Sequence, residues 1–299
     1  MRFLNPKTDF AFKRIFGSQQ SKGILISFLN ALLYNGREII EDLEIIDPYQ
    51  APQLKGMKDT FLDVKATVTG NKTVIIEMQV LNVLGFEKRV LYNAAKAFSI
   101  QLDAGEGYSK LNPVIALTIT DFEMFPGHSK VISHYQLQEK EDLTPYSDDM
   151  ELVFVELPKF RKTLAELETI TDKWIFFLKA AESLDVAPQA LTQITSIEQA
   201  FQISELSQLS REELDIFERK QMFLQDSRNA ILKGQQDARR EALKEGRQEG
   251  LQEGLQEGLQ EGRQEKAMEI ARALLDVLPL EIISEKTGLP VEELQKLSV

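Results

Sequence analysis

Cysteine is absent from the sequence, which excludes disulfides, thiolate metal sites and cysteine nucleophiles together. Histidine is scarce: His128 and His134 are the two present, and their spacing fits no compact zinc pattern, so they read as surface or loop residues. Any catalytic metal must therefore be held by oxygen. The opening MRFLNPKTDF lacks the apolar stretch of a secretion signal, and no run approaches the ~20 apolar residues of a membrane span. The expectation is a cytoplasmic protein with no membrane partner.

Hydrophobic residues make up 43% and charged residues 27% of the 299, globular values that allow a buried core. The length exceeds one ordinary domain. We expect a core over residues 1–160, a helical segment packing on or extending it over 161–235, a helical or flexible arm over 236–266, and a small helical unit over 267–299. The net charge of −12 is unevenly spread: residues 1–110 hold 14 Lys+Arg and 12 Asp+Glu, and the remainder 21 and 35. The acidic load lies in the second half, so a phosphate-binding surface on the first half is allowed, although no basic patch demands one.

Apolar residues at spacings of three and four predict helix from Thr8 to about Tyr34, broken at Gly17-Ser18. Leu43–Asp47 is a short strand candidate, followed by a loop, YQAPQLKGMK, expected to be exposed. Two runs rich in β-branched residues, TFLDVKATV and KTVIIEMQV, joined at Gly70-Asn71, predict a hairpin. An amphipathic helix follows and stops near Gly105; Pro113–Asp121 and Glu151–Pro158 are further strands. Beyond Pro158 the pattern is helical, with Trp174 on a core-facing helix. The predicted class is α/β: a mixed sheet with helices on its faces and an all-helical C-terminal extension.

Between Glu245 and Glu265 a four-residue unit repeats, placing glycine at 246, 250, 254, 258 and 262. A period of 4.0 against 3.6 turns Leu251, Leu255 and Leu259 around the helix by about 40° per unit, so no fixed apolar stripe forms. A solvated helix or flexible arm is expected. After it, two short helical pieces flank Thr287-Gly288 in a layout like a helix-turn-helix. The second piece is not rich in Lys or Arg, which favours a packing or oligomerisation unit over a DNA reader.

Side chains two apart on a strand share a face, which pairs Asp63 with Lys65 and Glu77 with Gln79. In the predicted hairpin, Asp63 and Glu77 sit on neighbouring strands and can converge on one Mg²⁺, or Mn²⁺ in its place, with the Met78 carbonyl completing the set. By spacing alone these read more readily as solvent-facing polar groups on the open side of a half-buried sheet. The apolar flanks favour burial, and buried carboxylates need a metal or hydrogen bonds.

Several ordered motifs together, NPKTDFAFKRIFG, FLDVKATVTGNKTVIIEMQV, KRVLYNAAKAFSIQLDAGEGY, LNPVIALTITDFEMF and the EG-rich arm with its TGLPVEEL ending, resemble the Rpn-type recombination-promoting nucleases. These are also described as PD-(D/E)XK nuclease family transposases. The likeness covers most of the chain. It implies a restriction-endonuclease-like fold and a Mg²⁺-dependent DNA endonuclease of limited sequence preference, tied to recombination or mobile DNA. Asp63 and Glu77 match the acidic positions of the motif. Gln79 matches the lysine position, a departure that weakens transition-state stabilisation and keeps open a second reading, a nuclease-fold module that binds nucleic acid or protein without cutting.

The resemblance also implies that Asp9 is an outer carboxylate and Lys13 a phosphate contact; an exposed i,i+4 ion pair is the competing explanation. Arg89 and Tyr92, three apart on the next helix, could hold a phosphate, or form a surface salt bridge and core packing. DNA is the expected partner, and a homo-oligomer formed through the C-terminal arm would bring two centres together.

Overall fold

The run Val114–Thr120 is apolar at nearly every position and is buried along its whole length, as a strand covered on both faces must be. In the computed structural model, which describes residues 3–50, 60–103 and 105–297, it is a central strand of a six-stranded mixed sheet. The chain begins with helices Asp9–Phe16 (α1) and Lys22–Tyr34 (α2), then strands Leu43–Ile46 (β1), Tyr49–Gln50 (β2), Thr60–Phe61 (β3), Val64–Val68 (β4) and Lys72–Gln79 (β5). Helix Phe86–Ser99 (α3) leads to Val114–Thr120 (β6), Ile132–Gln138 (β7) and Pro145–Glu156 (β8). Helices Ile170–Ala180 (α4), Gln189–Thr192 (α5), Thr195–Ser204 (α6), Arg211–Leu274 (α7), Leu280–Thr287 (α8) and Val291–Leu297 (α9) complete it.

The sheet order is β1-β4-β5-β6-β8-β7. β4 and β5 form the expected hairpin, antiparallel with Val64 opposite Ile76 and Val68 opposite Lys72. Its turn places Gly70 and Asn71 at φ of +81° and +58°, the left-handed region that glycine and asparagine tolerate best. The β5–α3–β6 segment joins two parallel strands by a helical crossover, as parallel pairing requires.

Alternation along the strands decides which face meets which helix. Val64, Ala66 and Val68 of β4 and Val74, Ile76 and Met78 of β5 join Phe12 and Phe16 of α1, Phe28 of α2, Trp174 of α4 and Phe201 of α6 in the main core. Trp174 is fully buried and its indole N–H donates to Ser27 Oγ at 3.1 Å. On the opposite face, Ile75, Val114 and Ala116 pack on Ala94 and Ala97 of α3. Residues of odd number on β5 therefore look toward α3, and those of even number toward the main core.

Two features depart from expectation. The strand Ile132–Gln138 was not foreseen, because its sequence ISHYQLQ is polar; it is an exposed edge strand that, among the described residues, pairs with β8 alone. The loop beginning at Tyr49 was expected in solvent, yet Gln50 is fully buried: it pairs with Thr60 and its carbonyl accepts from the buried Lys96 ammonium of α3 at 2.7 Å. Residues 51–58 of that loop lie outside the described residues.

The chain divides into two compact units, Met1–Gln225 and Asp226–Val299. In the first, the start of α7 is held by a capping box, Ser210 N–H to Glu213 Oε2 at 2.9 Å and Glu213 N–H to Ser210 Oγ at 3.2 Å. Phe217 is buried and sits 6.1 Å from the ring of Phe10. In the second, the glycine repeat is helical with Leu251, Leu255 and Leu259 all exposed, as a period of four requires. Ala271, Ile283, Leu289 and Leu294 form a small core there, with Gly288 at φ +74° ending α8. Among the described residues no helix is long and apolar enough to cross a membrane.

Candidate active site

Asp63 stands just before β4, and Glu77 and Gln79 near the end of β5. The β5 alternation turns both toward α3 and away from the main core. Asp63 is 14% exposed and Glu77 16%, so both carboxylates are largely withdrawn from water. Asp63 N–H donates to the Ile76 carbonyl at 3.2 Å, and Met78 N–H donates to Asp63 Oδ2 at 2.7 Å. Strand N–H and C=O groups of one residue point to the same side. Met78, two residues beyond Ile76, therefore aims its carbonyl past the end of β4, beside the Asp63 carboxylate.

Burial pushes the Asp63 carboxyl up to about 7; the Met78 N–H and the Lys13 ammonium only partly offset it, and the charges of Asp9 and Glu77 add to the rise. Lys13 Nζ lies 3.7 Å from Asp63 Oδ1 and 2.6 Å from Asp9 Oδ1. Burial also raises the Asp9 carboxyl, but hydrogen bonds and charge from Lys13 and from Lys220 of α7 outweigh it and hold Asp9 below the usual carboxylate range. Desolvation depresses Lys13, but Asp9 and Asp63 more than compensate, so its ammonium is held above the usual value.

A second network surrounds Glu77. Arg89 Nη2 lies 2.6 Å from Glu77 Oε1 and donates to Gln79 Oε1 at 2.6 Å. Asn93 Nδ2 donates to Glu77 Oε2 at 3.3 Å, and Gln79 Nε2 donates to the Leu81 carbonyl at 2.5 Å. The Arg89 guanidinium also lies over the Phe86 ring, 4.9 Å from its centroid, which steadies it by a cation–π contact. Among the described residues, Arg89 Nε and Asn93 Oδ1 are buried here without a hydrogen-bond partner. Tyr92 is 37% exposed on the same helix, and a role for it rests on helix position alone.

The structure thus draws Asp9, Lys13 and Asp63 into one network and Glu77, Gln79 and Arg89 into another, with the Asp63 and Glu77 charges close enough to affect each other. Asn93 and Lys220 were missed by sequence reasoning. Asn93 could have been found, since it lies one helical turn after Arg89. Lys220 could not, because 211 residues separate it from Asp9. Lys7 was missed as well; its ammonium binds Asp121 Oδ1 at 3.0 Å and Oδ2 at 2.9 Å, and Asp121 N–H donates to the Gln79 carbonyl at 3.0 Å.

The donor set can be tested against a divalent cation. Among the described residues no three acidic or histidine side chains cluster as a metal cage. Two carboxylates and one carbonyl remain, which suits Mg²⁺: it prefers hard oxygen and keeps several waters where a protein offers one or two carboxylates. An acidic group held near 7 by burial is also the kind of site a cation relieves. Comparison with curated proteins and with solved structures returned no match. Residues 6–234, which include both networks, match the family described as PD-(D/E)XK nuclease family transposase, and the chain belongs to that family.

Proposed function

We propose that this protein is a Mg²⁺-dependent DNA endonuclease of limited sequence preference, serving recombination or mobile DNA, with Asp63 and Glu77 as the metal-holding carboxylates and Met78 lending its carbonyl. The observation that carries the reading is the pair of largely buried carboxylates, Asp63 and Glu77, whose burial and mutual charge push the Asp63 carboxyl up, in a chain of a nuclease family. Bound there, Mg²⁺ supplies charge neutralisation at a phosphate oxygen and eases ionisation of an attacking water; Mn²⁺ has the same ligand preferences.

Every remaining role falls to the chain. The Met78 N–H fixes one Asp63 oxygen and leaves Oδ1, at 3.7 Å from Lys13, as the freer ligand atom. Gln79 orients the water through its amide, itself steered by Arg89 and by Leu81. Lys13 supplies a positive charge beside Asp63, which compensates for the missing lysine at position 79, and contacts the phosphate. Asp9 holds Lys13 in place as an outer carboxylate, and Arg89 and Tyr92 face the neighbouring phosphate.

The test is relaxation of supercoiled plasmid with Mg²⁺, comparing the intact protein with Asp63→Ala and with an EDTA control. Nicking that is lost in both controls is expected. No nicking by the intact protein at micromolar concentration overturns the reading in favour of a non-cutting nuclease-fold module, to which the Arg89 clamp on Glu77 lends some support.

Cutting both strands needs two centres, and we assign to residues 240–299 the task of bringing copies together. Light scattering on the full chain and on a form lacking 240–299 checks this: a dimer or larger assembly that falls to a monomer is expected, and an unchanged mass sinks the assignment.

A further inference from the structure

Between the start of α1, the end of β5 and the first turns of α7 lies a cavity of about 320 Å³. Its walls are mostly apolar, made by Met78, Val80, Leu81, Leu224 and the ring of Phe223. Lys7 and Lys220 line it too, each already held by a carboxylate, Asp121 and Asp9 respectively. Phe217, Lys220 and Leu224 share one face of α7 at spacings of three and four, and the buried Phe217 fixes that face against Phe10 of α1. Phe223 is the exception, with 74% of its surface in solvent.

Resting on the nuclease reading, we propose that this cavity receives one nucleobase swung out of the strand being cut and stacked on Phe223. The favoured substrate is then DNA with an unpaired or poorly stacked base beside the scissile phosphate. Three observations converge on that occupant. Met78 and Gln79 line the cavity, and the Met78 carbonyl and Gln79 side chain belong to the candidate metal site, so the two lie at the same end of β5. The volume sits at the lower end of the range for small-ligand sites, about 300–1,000 Å³: room for one planar base, far too little for a duplex. The apolar walls, the exposed ring and two flanking ammonium groups match a base with its charged backbone, since aromatic rings stack bases of any sequence and lysines follow phosphates.

Stacking of this kind is indifferent to base identity, which agrees with limited sequence preference. Extruding a base from a perfect duplex costs the stacking and pairing it gives up, least where the base is already unpaired, which is the origin of the preference for unpaired DNA.

The experiment measures fluorescence anisotropy of labelled oligonucleotides with Ca²⁺ in place of Mg²⁺, removing one base at a time to leave an abasic position, for the intact protein and for Phe223→Ala. One position is expected at which base removal weakens binding by the intact protein about tenfold. Phe223→Ala should bind the complete strand about tenfold more weakly and be indifferent to the abasic position, while Phe223→Tyr restores both. The ring lies mostly in solvent, so the variant should fold, and an unchanged unfolding temperature checks that it does. Absence of any sensitive position, equal sensitivity in Phe223→Ala, or no binding to DNA overturns the proposal. Plasmid nicking separates the two readings: Asp63-dependent nicking without an abasic effect removes the base pocket alone, and a Phe223-dependent abasic effect without nicking leaves base binding standing and removes hydrolysis.

Discussion

Asp63→Asn is expected to make the first unit harder to unfold above pH 7 while lowering Mg²⁺-dependent cleavage at least about a hundredfold, the scale of losing one preorganised electrostatic group. The stability effect follows from the carboxyl held at about 7 instead of its ordinary 3.8. A folded-state value above the unfolded one means that ionisation opposes folding. The penalty is absent below about pH 4, grows as pH rises toward 7, and is full above it. Its size is on the order of 4 kcal/mol at most, and asparagine keeps an oxygen for the Met78 N–H. Each kcal/mol moves the midpoint by about 2–4 °C in a domain of this size, so a gain of at least about 5 °C is expected at pH 8 and none near pH 4. Thermal unfolding across that pH range measures it. Millimolar Mg²⁺ should raise the midpoint of the intact protein and leave that of Asp63→Asn unmoved. Equal midpoints at pH 8 would show that Asp63 is an ordinary surface carboxylate.

The hairpin was legible in the sequence and its chemistry only partly so. Alternation along KTVIIEMQV dictates that Glu77 and Gln79 share a face, and the paired apolar residues dictate that the other face is core. The helix after it must cover what the strands expose, so Arg89 meeting Glu77 follows from amphipathic spacing. Long-range partners leave no such trace. Lys220 approaches Asp9 where Phe217 packs α7 on Phe10 of α1 and Glu213 pairs with Arg14, and nothing in the helical pattern beyond Pro158 marks that turn. The strand at Ile132–Gln138 stayed hidden for a different reason: an edge strand with exposed faces needs no apolar alternation, because β8 supplies its backbone partners. Gln50 was assigned to solvent because its neighbours are turn-forming; in the fold it pairs with Thr60 and receives the Lys96 ammonium, 46 residues away, on its carbonyl.

Arg89→Ala is expected to bind Mg²⁺ severalfold more tightly than the intact protein and yet to cleave at least about tenfold more slowly. One guanidinium nitrogen holds both Glu77 Oε1 and Gln79 Oε1 at 2.6 Å, so before a cation can use Glu77 it must displace Arg89 and accept its repulsion. Removing the side chain frees the carboxylate, and the gain is modest because a pair more than a third exposed on one side is screened. Cleavage falls for two reasons. Gln79 loses the contact that aims its amide, and the fork that can grip a phosphate by two donors disappears. The buried Arg89 Nε, without a partner among the described residues, would be the donor left over for that anion if Glu77 turned to a metal. Arg89→Lys keeps the charge but not the fork, so it should compete with Mg²⁺ much as arginine does while cleaving as poorly as the alanine variant. Titration calorimetry with Mg²⁺ and plasmid nicking, run on the same preparations, read the two effects separately. If Arg89→Ala binds Mg²⁺ more weakly, then the guanidinium serves to position Glu77 as a ligand, and the exchange of partners between metal and phosphate does not occur.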